Sequence, residues 1–319
     1  MYIRASIGTL AKLGLLKIKL LSSPTTAYLL QYSERGCLGK CLYCSQSIFS
    51  KASKENLSRV EWPKIKIDEL ISKIQEKEKC FKRICLQTII KPFFIQEVRE
   101  IIKLIKENNI QLPISITITP LPKPILIEFK KLGVDRIGVG LDAATEDIFI
   151  QMKKPYTWNT YLKYIKNALK IFGKNKVSVH LIYGLGETDI QFLKTAEKII
   201  KLGAFISLFP FTPIKNTSLE KRPKPEIQRY RTIQIAVKLL LEGYRLDEIL
   251  SYVSESGKVS IKPEYIDKVF PKAFLTLGCP GCNRPFYTET PLKIYNYPDI
   301  KLLERDLDLI RKQLTMVRT

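Results

Sequence analysis

Three cysteines stand close together in Cys37-Leu-Gly-Lys-Cys41-Leu-Tyr-Cys44, a C-x3-C-x2-C spacing. Three thiolates on one short loop can wrap a corner of an iron–sulfur cube and leave one iron open to a small molecule. Zinc would want a fourth ligand close by, and the chain's single histidine, His180, lies far along the sequence. Four more cysteines remain, Cys80, Cys85, Cys279 and Cys282, which is the complement of one further iron–sulfur cluster. Gly278-Cys279-Pro-Gly-Cys282-Asn283 has the form of a tight knuckle whose backbone N–H groups can donate to sulfur. A zinc knuckle and a redox or structural pair are the other readings of that turn. Cys80 reads equally as a packed cysteine at a helix end. If it is not a ligand, a serine or an external group completes the second site. With one histidine, a multi-histidine zinc or iron site within the chain is excluded, and a His-based triad has only His180 to use.

These cysteines need a scaffold, and the chain alternates short β-branched runs with amphipathic stretches. Strands are predicted at 27–32, 83–87, 114–119, 136–141, 177–183, 205–211, 258–261 and 273–277. Helices are predicted at 68–79, 95–108, 123–132, 161–172, 190–202, 226–241, 263–269 and 301–314. Strand–helix alternation at this spacing predicts a parallel α/β sheet, and eight strands predict a full or nearly full (βα)8 barrel. The strands read as continuous apolar runs, as strands buried on both faces should. Residues 1–24 are expected to form an N-terminal extension, and 25–319 one barrel domain with a C-terminal cysteine motif and a closing helix. In such a barrel the chemistry sits where strands end, and the first cysteine loop follows the first predicted strand.

Composition narrows the setting. Hydrophobic residues make up 45% and charged residues 26% of the 319, an ordinary globular balance. The net charge of +22 permits nucleic acid, an anionic membrane or an acidic protein as partner and selects none of them. Much of it comes from lysines scattered over helical faces, and Lys/Ile-rich usage resembles that of a thermophile. Lys12, Lys17 and Lys19 interrupt the first 24 residues, so neither a secretory signal nor a membrane span is expected there. A reduced, cytoplasmic location follows, in which clustered cysteines mean metal or redox chemistry.

The three-cysteine loop, with the aromatic Tyr43 before its last cysteine, resembles the signature of the radical S-adenosylmethionine (SAM) enzymes. The resemblance implies that Cys37, Cys41 and Cys44 hold a 4Fe-4S cluster whose open iron chelates the methionine part of SAM. One electron then cleaves the sulfonium to a 5′-deoxyadenosyl radical, which abstracts hydrogen from substrate. His180-Leu-Ile182-Tyr-Gly184-Leu-Gly-Glu187 is similar to that family's G-x-I-x-G-x-x-E strand, with His180 in place of the first glycine. It implies Ile182 against the adenine, with Gly184 and Glu187 beside the cofactor. Glu187 reads equally as a helix-start acid. Gly140-Leu-Asp142 is similar to the N-x-D segment of biotin synthase, implying that Asp142 holds the ribose hydroxyls. A carboxylate suits a vicinal diol because it accepts two hydrogen bonds at once. Where the family carries a G-G-E-like segment against the methionine amine, this chain has Leu86-Gln87-Thr88, leaving Gln87 or Thr88 to accept that hydrogen bond.

The likeness to biotin and lipoyl synthases covers most of residues 27–314. Cys85 stands where biotin synthase has a cysteine of its sulfur-donating cluster, but that enzyme's two other cysteine positions fall at Ser115 and Ser178. Arg4-Ala-Ser-Ile-Gly-Thr9, Pro24-Thr-Thr-Ala-Tyr28 and Cys279-Pro-Gly-Cys-Asn-Arg-Pro-Phe-Tyr287 look like the two-protein lipoyl synthases of archaea. That resemblance implies a sulfur-inserting enzyme with a second cluster at Cys279 and Cys282, with Cys85 and Cys80. Its substrate would be an octanoyl chain on a lipoyl carrier domain. Its partners would be a second related radical enzyme and an electron donor such as ferredoxin. A biotin synthase-like or methylating radical enzyme stays open. So does an RNA-modifying one, although no appended RNA-binding domain is visible, and so does a non-catalytic zinc protein that keeps the barrel.

Overall fold

The computed structural model describes residues 1–315; the last four residues of the expected domain, 316–319, lie outside the described residues. The chain opens with β1 (Tyr2–Ala5), α1 (Ile7–Lys12) and β2 (Thr26–Gln31). After the first cysteine loop come the short hairpin β3 (Asn56–Leu57) and β4 (Val60–Glu61), then β5 (Lys64–Lys66). The regular alternation starts with α2 (Ile67–Glu76), β6 (Arg83–Gln87), α3 (Phe94–Glu107), β7 (Ile114–Thr117) and α4 (Lys123–Lys131). It continues through β8 (Val134–Asp142), α5 (Glu146–Gln151), α6 (Trp158–Phe172), β9 (Val177–Tyr183), α7 (Asp189–Lys201) and β10 (Phe205–Pro210). The remainder holds α8 (Ile227–Leu241), α9 (Leu246–Ile249), β11 (Leu250–Val253), β12 (Val259–Ile261), α10 (Pro263–Val269), α11 (Ile300–Arg305) and α12 (Leu307–Thr315).

Local signals account for these elements. Helix α3 buries Val98, Ile101, Ile102 and Ile105, the stripe that faces a sheet when apolar residues recur every three to four positions. Helix α7 starts at a capping box in which Thr188 and Gln191 satisfy each other's backbone N–H groups. The barrel sheet runs in the order β10-β9-β8-β7-β6-β2-β1-β5. The pairings from β2 through β6, β7, β8 and β9 to β10 are all parallel. β1 runs antiparallel to β2, and β5 antiparallel to β1. The α/β barrel with its eight-stranded sheet is therefore as expected, with β1 and β5 as two of its members.

The last two predicted strands fold otherwise. Val259–Ile261 pairs with Leu250–Val253 in a separate antiparallel hairpin. The 273–277 segment forms a 3-10 turn at Lys272–Phe274 and then an irregular loop. Gly278, Pro280, Gly281 and Pro285 follow within a few residues, and neither type sustains a ladder. This loop spans from β10 to the residue just before β2. Arg284 Nη2 donates to the Leu208 carbonyl at 3.3 Å, and the Thr25 amide donates to Asn283 Oδ1 at 2.9 Å.

Barrel interiors are ordinarily filled by large branched side chains. Here β7, β8, β9 and β10 contribute Ser115, Gly138, Ser178 and Ser207 to a cavity lining. A Cβ on Gly138 would stand 2.4 Å from Thr117 Oγ1, so only glycine fits that crossing of β7 and β8. Small residues leave the interior hollow.

Candidate functional site

The first cysteine group occupies the loop after β2, at the C-terminal end of the parallel strands. Its shape is set by backbone and by one lysine. Lys54 Nζ donates to the carbonyls of Ser45, Ser47 and Ser50 at 2.9, 2.7 and 2.9 Å, pinning the segment just past Cys44. Cys37 Sγ accepts the amides of Gly39 and Ile90, each at 3.2 Å. Burial, then the neighbouring thiols Cys41 and Cys37, push Cys44 up to about 12. Burial likewise raises Cys41, which Lys154 opposes. Such thiols resist ionising together unless a cation joins them, and sulfur facing backbone N–H groups is how iron–sulfur ligands are supported. Among the described residues no three His, Cys, Asp or Glu side chains lie close enough to hold one metal ion. A cube places each thiolate on a different iron, so its ligands stand farther apart than those around one zinc. The donor set fits a cluster of that kind.

Asp142 ends β8 in the left-handed region at φ +66°, a conformation aspartate tolerates better than most residues. A register shift between Gly140 and Asp142 turns the strand end. Asp142 Oδ2 accepts both Tyr43 Oη at 2.6 Å and Lys154 Nζ at 2.5 Å. Burial alone would lower Lys154, but Asp142, Tyr43 and Cys41 outweigh it and hold the ammonium well above its ordinary value. Tyr43 and Asp142 are thus brought together beside Cys41. Lys154 was not singled out in the sequence; nothing marks it apart from the Lys153-Lys154-Pro155 stretch after α5.

The other expected cofactor residues divide. Ile182 is half-buried between the buried Leu181 and Tyr183. Gln87 lines the cavity and donates to Cys85 Sγ at 3.0 Å. Thr88 Oγ1 is taken up by the Thr117 carbonyl at 2.9 Å. Glu187 accepts the amides of Gly184 and Leu185 at 2.5 and 3.0 Å, so it closes the turn that carries Gly184. That is the structural role of an acid at a strand-to-helix turn. Asp142, Thr88, Ile182, Gly184 and Glu187 lie outside the cavity lining described next.

A cavity of about 490 Å³ opens inside the barrel and is lined by Cys85, Cys279 and Cys282 together. Burial raises both Cys85 and Cys279, and each is raised further by its neighbouring thiols. The Cys279–Cys282 turn plugs the barrel from the end where the parallel strands begin. Gly281 supplies its carbonyl to Thr25 and Thr26 Oγ1 at 2.5 and 3.0 Å. At φ +81°, with Lys82 Cβ 2.8 Å from where a Cβ would stand, this position requires glycine. Arg83 ties the group to the wall, donating to Pro280 O at 3.3 Å and Ser115 Oγ at 2.8 Å while pairing with Asp135 at 2.7 Å. Ser115 Oγ stands 3.6 Å from Cys279 Sγ.

Tyr28 Oη accepts the amides of Asn283 at 3.2 Å and Arg284 at 2.8 Å. With both acceptor positions filled, its own proton is left for Cys282 Sγ, 3.4 Å away. Cys80 does not join this group, contrary to its inclusion above. It is exposed in the 3-10 turn Glu78–Cys80 ahead of β6 and interacts with Lys12. Cys37 of the first group, Cys85 and Cys282 of the second, and Tyr287 all pack against one buried cluster of Tyr28, Leu30, Trp62 and Ile89; burial raises the Tyr287 phenol. His180 lines the cavity as a neutral imidazole, lowered by burial to about 4.

Residues 33–199 match the family described as the Radical SAM superfamily. The chain is 30% identical over 189 residues to a biotin synthase of Hydrogenobaculum sp. (strain Y04AAS1), covering 58% of this chain and 55% of that relative. It therefore spans about half the length of the curated relative it matches. Among solved structures, methylornithine synthase superposes with a TM-score of 0.53 at 15% identity, over 69% of this chain and 63% of that one. The FeFe-hydrogenase maturase from Carboxydothermus hydrogenoformans gives 0.53 at 18% identity, over 69% and 52%. These two likenesses are of fold.

Proposed function

We propose that this chain, which belongs to the radical SAM superfamily, inserts sulfur into an unactivated C–H bond of an octanoyl chain carried on a lysine. The observation that carries this reading is one cavity lined by a second cysteine group, Cys85, Cys279 and Cys282, of which Cys85 and Cys282 pack on the same buried cluster as Cys37 of the first. Cys37, Cys41 and Cys44 would hold a 4Fe-4S cluster that, with SAM, would supply a hydrogen-abstracting radical, and Cys85, Cys279 and Cys282 would hold a second cluster as the sulfur source. Unactivated C–H bonds give acids and bases nothing to work on, which agrees with a cavity whose one histidine is neutral and buried.

The chain's own side chains position and shield. Tyr43 and Lys154 fix the Asp142 carboxylate, leaving Oδ1 for a ribose hydroxyl. Glu187 holds the Gly184 turn beside Ile182. Arg83, Ser115 and Tyr28 hold the Cys279–Cys282 turn in one orientation. Gln87 orients Cys85. Water exclusion by the cavity wall keeps a reactive carbon centre from side reactions. The carrier domain, a second related radical enzyme, a ferredoxin-type donor and a cytoplasmic setting belong to the same proposal. Among the described residues no helix is long and apolar enough to cross a membrane.

Anaerobic incubation with SAM, a reductant and an octanoyl-lysine peptide, alone and with a related partner enzyme, tests it by mass spectrometry of the peptide. A thiolated octanoyl product is expected. Absence of that product under conditions that modify a tRNA refutes the acyl assignment and favours the RNA-modifying reading.

A further inference from the structure

The cavity extends well beyond the Cys85, Cys279 and Cys282 group. Its lining continues outward past Cys282 and Tyr28 to Ser6, Ile7 and Gly8 of the N-terminal segment and to Trp62, Leu57 and Val60 around the β3–β4 hairpin. Farther out it meets Ile18, Leu21 and Pro291, which are exposed. These three segments frame the seam beside β1 and β5, the side of the barrel where no parallel strand follows. Arg59 braces the frame by donating to the carbonyls of Phe286 and Glu289 at 2.9 and 2.7 Å. We infer that this seam is a lateral portal, and that the acyl chain of a lysine-tethered substrate enters there, beside the second cysteine group, with its free end leading.

Resting on the acyl reading above, the inference adds route, polarity and docking face. The lining of the outer passage is largely aliphatic and aromatic, as a hydrocarbon requires and as an ionic or nucleotide ligand does not. The carboxyl end of the chain is tied to a lysine on a folded domain too large to enter, so the methyl end must travel deepest. Cys85 lies opposite Tyr28 in the register, while Gln87 lies opposite Leu30, two residues nearer the first cysteine group. At ~3.3 Å per residue that is about 7 Å. A chain entering beside Tyr28 and reaching Gln87 therefore runs past the sulfur group toward the radical end. Among the residues that line the mouth, the exposed Lys19 and Arg59 are basic and Glu61 alone is acidic, and the exposed Lys17 directly precedes the lining residue Ile18. A net positive rim on a +22 chain suits an acidic carrier domain.

A carrier domain bearing octanoyl-lysine with a photoreactive group, placed either at the chain's free end or on the carrier beside the lysine, tests the portal on the anaerobically reconstituted holoenzyme. The carrier-side probe should label residues 18–21 or 57–61, and the chain-end probe the inner cavity near Gln87 and Thr117. Val60→Trp, which narrows the passage, should raise the Kd of the octanoyl-lysine peptide at least tenfold. Lys19→Glu should weaken the whole carrier domain and not the short peptide, and the carrier's affinity should fall with added salt. Carrier-side labelling of 39–50 or 153–158 instead, with thiolated product still formed, overturns the portal and leaves the proposed reaction standing. If no octanoyl-lysine carrier binds but a photoreactive medium-chain free acid labels 18–21 and 57–61, the portal stands and the carrier assignment falls. Labelling of neither segment by any probe overturns the portal, whether or not the variants fold.

Discussion

Lys154 and Asp142 offer a perturbation whose size can be worked from the structure and read without any cofactor. Their side chains are 7% and 13% exposed, their contact is 2.5 Å, and Tyr43 Oη shares the same carboxylate oxygen. Removing one partner of a buried pair leaves an uncompensated charge and costs about 3–5 kcal/mol. Lys154→Met removes the ammonium and keeps the aliphatic stem, so the lost volume is small. With an unfolding entropy of about 2.1 cal/mol/K per residue, a chain of 319 residues changes stability by about 0.7 kcal/mol for each degree near Tm. Lys154→Met should therefore lower Tm by about 4–7 °C. The double variant Lys154→Met/Asp142→Leu, which removes both charges, should recover much of that loss. The shift should persist at high salt, since a buried pair is screened little.

The sign with pH follows from the raised ammonium of Lys154. Its folded-state value exceeds the unfolded one, so its stabilisation is complete below the unfolded value of ~10.4 and fades as pH climbs through the folded value. The difference between wild type and Lys154→Met should thus be flat from neutral pH to about 10 and shrink only above it. Differential scanning calorimetry of the protein without cluster, at low and high salt, measures all of this. A Tm loss below ~1 °C, or one abolished by salt, would refute the reading of a buried, three-membered Tyr43–Asp142–Lys154 group.

Other outcomes follow from single residues. Cys279→Ala should remove the second cluster, halving iron per chain, and abolish sulfur insertion while 5′-deoxyadenosine still forms; unchanged iron and unchanged product would end the second-cluster assignment. Cys80→Ser, at an exposed position apart from the others, should leave iron content as in wild type. Gly281→Ala forces a left-handed residue against Lys82 and should cost at least ~1–2 kcal/mol, seen as a lower denaturation midpoint. His180 binds its proton less readily folded than unfolded, so stability should be full above pH ~6.5 and fall by about 3 kcal/mol as pH drops toward 4. His180→Asn should flatten that acid limb, and an unchanged profile would show that the imidazole is not buried as neutral.

Much of this site was legible because spacing is itself chemistry. Cys37, Cys41 and Cys44 are close in sequence, so a short loop guarantees their proximity whatever the fold does. Cys279 and Cys282 share that property. Cys85 was reached through its match to a cysteine of biotin synthase, and the period of two in β6 turns it into the cavity with Arg83 and Gln87. The residues that escaped are those whose partners are distant in sequence. Lys154 reaches Asp142 only because α5 folds back beneath the strand end, and Tyr28 reaches Cys282 across 254 positions. Cys80 misled for the converse reason: its nearness to Cys85 in sequence spans the 3-10 turn, which leaves it on the outer surface. The segments 258–261 and 273–277 carried β-branched or apolar runs, yet local composition does not say which sheet a strand joins.

That last failure explains the architecture. A regular eighth strand at 273–277 would have filled the seam with a ladder and packed side chains into the barrel. The glycines and prolines from Gly278 to Pro285 instead make a loop that reaches from Leu208 on β10 to Thr25 beside β2. A loop can carry two cysteines inward at its tip, as a strand with alternating faces and continuous hydrogen bonding cannot. It also leaves the seam incompletely covered on the side of β1 and β5, where the cavity reaches the surface. Closing the barrel, presenting Cys279 and Cys282 to Cys85, and leaving a passage beside them are therefore consequences of one sequence feature. A variant that straightened this segment, such as Pro280→Val with Gly281→Val, should lose all three together: lower stability, iron content reduced to the first cluster, and no binding of the octanoyl-lysine peptide. Loss of the second cluster with peptide affinity and stability intact would show that the three are separable and that the loop's role is ligation alone.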